Sequence, residues 1–174
     1  MINQIVEKSF DNIMYQQEKM DNKSYVLLGF LGFLLTFDYF ETAYLELDKL
    51  TINLISLIAI MLTFSLIPIT NVFFIKIIKY TRFKFSKMKD FEQINIFYYV
   101  DIYRLNKDQF IKVLKTAYKL DQKKDITKAD EYLIEQIIIN SQILRVKVFF
   151  HEISQISMLV IVLKYFYDFL INLF

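Results

Sequence analysis

The chain has 174 residues, a length suited to one domain, and 55% of them are apolar, above the share usual in water-soluble domains. It contains no cysteine and a single histidine, His151, which excludes disulfides, thiolate metal sites and His-cluster zinc sites. Net charge is only +2 but is spread unevenly, and two glycines and one proline leave little to interrupt long helices.

Residues 1–24 are mostly polar, with acids and lysines mixed and no small-residue cleavage site, so they do not read as a cleavable signal. Ile2, Ile5, Val6, Phe10, Ile13, Met14 and Met20 recur at three- and four-residue steps and predict an amphipathic helix. That face suits packing on the protein's own cytosolic part; the alternatives are a membrane surface or a neighbouring subunit.

Three apolar segments follow. Residues 25–37 cover only about 20 Å as a helix, so a full crossing requires the helix to continue past Asp38 and Glu41. Gly29 and Gly32 lie on one side of it, where small residues permit close helix approach. Residues 52–75 form an uncharged run long enough to cross a bilayer core of roughly 30 Å, and residues 156–174 form the third segment. Lys76, Lys79, Arg82, Lys84, Lys87 and Lys89 follow the second segment, whereas Asp38, Glu41, Glu46 and Asp48 sit in the first link. Positive charge collects on the cytoplasmic side, which places the N-terminus inside and the end of the third segment outside.

The middle, residues 76–155, is polar enough to fold in water. Residues 82–87 alternate, and in residues 93–105 Ile94, Ile96, Tyr98, Val100 and Ile102 occupy every second place. Two short strands in a hairpin fit this pattern, and a wholly helical middle competes with it. Asn106 and Gln109 have the spacing of a capping box, with Phe110, Ile111, Leu114, Ala117 and Tyr118 as the apolar face of the helix they start. A loop is expected at residues 121–125. Thr127 then begins a helix with Asp130 and Glu131 in its first turn. No glycine or proline follows, so one helix of roughly 70 Å can run into the third segment, with a packing stripe of Leu133, Ile134, Ile137, Ile138, Ser141 and Leu144.

Within the third segment, Lys164 and Asp168 stand four residues apart on one face. Charges at bilayer depth face a partner helix or water, so they read as a polar stripe, with snorkelling toward the interface as the plain alternative. His151 beside Glu152 is expected to be an interfacial side chain. No phosphate loop, HExxH, CxxC or GxSxG is present, and no nucleophile–base constellation supports an enzyme. The predicted class is mainly α and integral to a membrane. It has about three transmembrane helices and a small cytosolic helical part, with a short β-hairpin as an option.

Three stretches resemble one family, the transmembrane effectors of Pycsar-type bacterial anti-phage systems. They are DNKSYVLLGF at 21–30, NIFYYVDIYRL with NKDQFIKVL at 95–114, and YLIEQIIINSQILRVK at 132–147. Val100 stands where the family's central motif commonly has glycine before the aspartate. Asn95, Tyr99 and Asp101 match the central motif, and Glu135, Gln136, Asn140, Ser141, Arg145 and Lys147 match the last cytosolic helix. The resemblance implies an inner-membrane, multi-pass effector that senses a cyclic pyrimidine mononucleotide, cCMP or cUMP, made by a partner cyclase. Such an effector forms homo-oligomers in the lipid bilayer and impairs it, with no catalytic cofactor and no nucleic-acid partner. In that setting Arg145 and Lys147 are candidates for the ligand's phosphate, Tyr98 and Tyr99 for stacking on its base, and Asn95, Asp101 and Asn140 for polar contacts. A non-catalytic membrane anchor that recruits a soluble partner is the alternative reading.

Overall fold

A computed structural model of the protein describes residues 2–41, 49–66, 73, 93–117 and 126–173. Five helices are described: α1 (Ile2–Glu41), α2 (Lys49–Leu66), α3 (Tyr99–Ile102), α4 (Lys107–Ala117) and α5 (Lys128–Leu173). They fall into two compact units. One comprises Met1–Met20 and Val72–Val146, the other Asp21–Asn71 and Lys147–Phe174.

In the first unit, the N-terminal stripe of α1 becomes core. Ile2, Val6 and Ile13 are buried with Ile94, Ile96, Ile102, Leu105, Phe110, Val113, Leu114, Ile134, Ile137 and Ile138. The capping box starting α4 forms as its spacing predicts. The Asn106 Oδ1 accepts from the Gln109 N–H at 2.8 Å, and the Gln109 Oε1 accepts from the Asn106 N–H at 2.9 Å. The buried face of α4 is Phe110, Val113 and Leu114, so Val113 points inward and Ala117 is exposed, a shift of the expected stripe. Tyr118 and residues 121–125 lie outside the described residues. A second reciprocal cap begins α5: Thr127 Oγ1 accepts from the Asp130 N–H at 3.2 Å, and Asp130 Oδ2 accepts from the Thr127 N–H at 3.1 Å. From there α5 continues unbroken for 46 residues, about 69 Å.

The hairpin expectation is corrected. No strand occurs among the described residues, and its first candidate strand, residues 82–87, lies outside them. Residues 94–98 form a turn, with the Tyr98 N–H on the Asn95 carbonyl at 3.1 Å, which leads into the single helical turn α3. The alternation is real as far as it buries Ile94 and Ile96. The carbonyls of Ile96 and Phe97, however, bond to side chains of α1 instead of a neighbouring strand.

In the second unit, Leu31 of α1, Ile58 and Leu62 of α2, and Met158 and Ile161 of α5 form the buried cluster. No break in α1 separates residues 1–24 from the first apolar segment, since only helix-compatible residues lie at the junction. Among the described residues, a Cβ added at Gly29 or Gly32 meets nothing within 4 Å. Among the described residues, one helix, over Lys128–Tyr167, is long and apolar enough to cross a membrane, and the apolar part of α2, Thr51–Leu66, is shorter. Most of the remainder of the second apolar segment, residues 67–72 and 74–75, lies outside the described residues.

Each reciprocal cap satisfies helix N–H groups that have no partner within the helix. Asn106→Ala and Thr127→Ala are each expected to destabilise the protein by about 1 kcal/mol. Thermal or denaturant unfolding in detergent measures this, and a change near zero would mean that the cap is idle.

Candidate functional site

The central motif forms a pinned loop in the first unit. The Asn95 Oδ1 accepts from the Phe97 N–H at 2.9 Å, and Asp101 Oδ2 accepts from the Asn95 N–H at 3.1 Å. These two predicted ligand residues therefore shape the loop's own backbone. The loop is also held by α1: Ser9 donates to the Ile96 carbonyl, Asn12 donates to the Phe97 carbonyl, and Gln16 donates to the same oxygen at 2.8 Å. Beside it, Lys8, Asp11, Asn12 and Phe97 line an open cleft of about 370 Å³. The Tyr98 ring is exposed and meets the Tyr99 ring edge-on at 5.3 Å. Sequence reasoning missed Ser9, Asn12 and Gln16. Their signal is three hydrogen-bonding side chains at three- and four-residue steps alongside the apolar stripe of the first helix.

The residues expected on the last cytosolic helix do not gather at this loop as one set. Asn140 lies 3.5 Å from the Met14 sulfur, an interhelical contact, whereas Ser141 bonds back to the Ile137 carbonyl of its own helix. Glu135 and Glu131 each lie 3.2 Å from Lys107, and their hydrogen bonds and charge hold that ammonium above its usual pKa. Arg145 is partly exposed in the first unit; Lys147 belongs to the second.

Lys147 is 5% exposed, and its ammonium lies 2.6 and 2.7 Å from the two carboxylate oxygens of Asp21. One turn further along α5, His151 is equally buried, with Nδ1 3.4 Å from the Ser24 hydroxyl. Lys147 and His151 are buried on one face of α5, since positions four apart share a helix face. Ser65 of α2 lies 3.5 Å from Ser24, and Ser154 and Ser157 are buried as well. Lys164 lies 3.4 Å from the Thr51 hydroxyl and 5.8 Å from the Tyr165 ring centre. The side chain of Asp168, its expected companion in the polar stripe, lies outside the described residues. Tyr25, Val26, Phe30, Phe33, Ile52, Ile60, Leu159 and Leu163 of the same unit are exposed. Several polar side chains are thus buried beside the apolar cluster while many large apolar ones face out, a surface lipid favours.

The model of the Pycsar effector protein domain matches residues 5–167, nearly the whole chain, and the protein belongs to that family. It is an effector of Pycsar anti-phage defence, which places it in a cyclic-nucleotide signalling context with a cyclase partner. The domain is not a known catalytic family, and together with the length and apolarity of α5 it points to a membrane protein. No curated protein and no solved structure matches the chain.

Removing one member of a buried ion pair strands the other charge. Asp21→Asn is expected to destabilise the protein by about 3–5 kcal/mol, and Asp21→Leu combined with Lys147→Met to recover most of that loss. Melting of the three proteins in one detergent decides it; an Asn variant as stable as the parent would deny the pair a structural role.

Burial, reinforced by the charge of Lys23 and opposed by Glu152, holds the His151 imidazole below its ordinary pKa of 6.5. The unfolded chain then takes up this proton first as pH falls. Stability is complete above about pH 6.5 and declines as pH falls toward the folded-state value. His151→Asn is expected to flatten the decline between roughly pH 7 and 5. Identical pH profiles of unfolding for parent and variant would reject this.

Proposed function

We propose that the chain is a three-span inner-membrane effector that senses cCMP or cUMP and, as a homo-oligomer, permeabilises the membrane. In this reading residues 25–75 form a transmembrane hairpin and residues 156–174 the third crossing. Residues 1–24 and 76–155 face the cytoplasm and carry the sensing part. Family membership supports the signalling context. The observation that supports the membrane role is the exposed apolar surface of the proposed spans, where Val26, Phe30, Ile52, Ile60, Leu159 and Leu163 face out while Ser65 and Ser157 are buried.

Signal dependence requires the ligand to bind the quiescent and the permeable state with different affinity. Polar side chains inside the helical unit give a rearranged assembly something other than hydrocarbon to present to water.

The test uses the full chain in liposomes loaded with a self-quenched dye. Dye release is expected on addition of cCMP or cUMP and not with linear CMP or UMP. In cells, co-expression of a pyrimidine cyclase is expected to collapse the membrane potential. Intact vesicles and an unchanged potential, with ligand binding verified separately, would overturn the permeabilising role.

A further inference from the structure

Inside the second unit, polar contacts occupy two levels and an apolar layer separates them. At the first level Lys147 holds Asp21, His151 meets Ser24, and Ser65 lies 3.5 Å from Ser24. At the second, Lys164 lies 3.4 Å from the Thr51 hydroxyl. The order of these contacts makes α1 parallel to α5 and α2 antiparallel to both. From Lys147 to Lys164 α5 rises about 26 Å, close to the roughly 30 Å of a hydrocarbon core.

The layer consists of Leu31, Ile58, Leu62, Met158 and Ile161, all buried. Along α5, Met158 and Ile161 fall between His151 and Lys164; along α2, Ile58 and Leu62 fall between Thr51 and Ser65. Leu31 lies about two turns beyond Ser24 on α1. All three helices thus contribute to one apolar stratum between the polar levels. The hydroxyls at its margin are satisfied by their own helices. Ser154 donates to the Phe150 carbonyl and Ser65 to the Leu62 carbonyl, each at 2.9 Å. A hydroxyl bonded back in this way needs no water. Turned inward, the same group can hold water. An ion entering the layer sheds its hydration shell and finds no replacement. A narrow apolar constriction of this kind excludes water, and ions with it.

We infer that this layer is the gate of an ion path along the inner faces of α1, α2 and α5, and that the structure holds it shut. Parting α5 from α2 at Ile161, Met158, Ile58 and Leu62 wets the layer and joins the two polar levels. The inference rests on the permeabilising reading above and adds to it the place where the resting protein is sealed.

Potassium efflux from vesicles carrying the full chain, with no nucleotide added, tests it. Ile58→Thr and Ile161→Thr keep the branched shape and put a hydroxyl in the layer. Each is expected to raise efflux at least about tenfold over the parent protein, the factor that one hydrogen bond supplies to a barrier. The two positions lie on different helices, so a folding failure in one leaves the other as the test. Val160→Thr and Val162→Thr, on the exposed side of α5, are near-isosteric controls expected to leave the vesicles tight. Ile58→Val and Ile161→Val, which loosen the layer without a hydroxyl, are expected to do the same. Circular dichroism confirms that each variant keeps its helix content. Equal efflux from any of these four controls would overturn the gate. So would layer variants as tight as the parent while the parent releases potassium on addition of cCMP or cUMP, and the permeabilising reading would then stand. Parent and layer variants that stay tight with either nucleotide, its binding verified, would remove both.

Discussion

The ammonium of Lys147 is withdrawn from water and held by both oxygens of Asp21. A buried charge of this kind is tolerable only with a close counter-charge and good geometry. Since the two residues belong to α5 and α1, their pairing fixes which faces of these helices meet in the second unit. The next turn of each helix then brings Ser24 to His151, and Ser65 of α2 to Ser24. Further along the unit Leu31, Ile58, Leu62, Met158 and Ile161 are buried together, and many more large apolar side chains are left on the outside, a costly arrangement in water and a natural one in lipid.

The first unit is built on a larger apolar core, two of its helices, α4 and α5, start at reciprocal caps, and its short non-helical stretch is held by side chains. Buried carbonyls need donors, and at Ile96 and Phe97 they are supplied by Ser9, Asn12 and Gln16. This requirement explains why a segment rich in β-branched and aromatic residues is a turn followed by one turn of helix. It also explains why Phe97 is held so firmly beside a cleft.

Lys147 already has an anionic partner within its own unit, and its burial makes it part of the scaffold. Lys8, on the exposed side of α1, has an open cleft before it. Family membership sets the signalling context.

Local patterns were legible from the residues alone. The caps at Asn106 and Thr127, the stripe of Leu133, Ile134, Ile137, Ile138, Ser141 and Leu144 (buried except for the half-buried Leu133), and the uninterrupted run of α5 all depend on neighbours three or four positions apart, which sequence spacing encodes directly. The absence of thiols was equally plain. Only the tertiary structure decided that Asn95 and Asp101 bind their own loop, that His151 is buried against Ser24, and that Asp21 is the partner of Lys147. Those contacts join residues brought together by helix packing or by the sharp turn before α3. Two periodicities fitted residues 93–105 equally well, and the choice fell to the side chains of α1 that could satisfy its carbonyls.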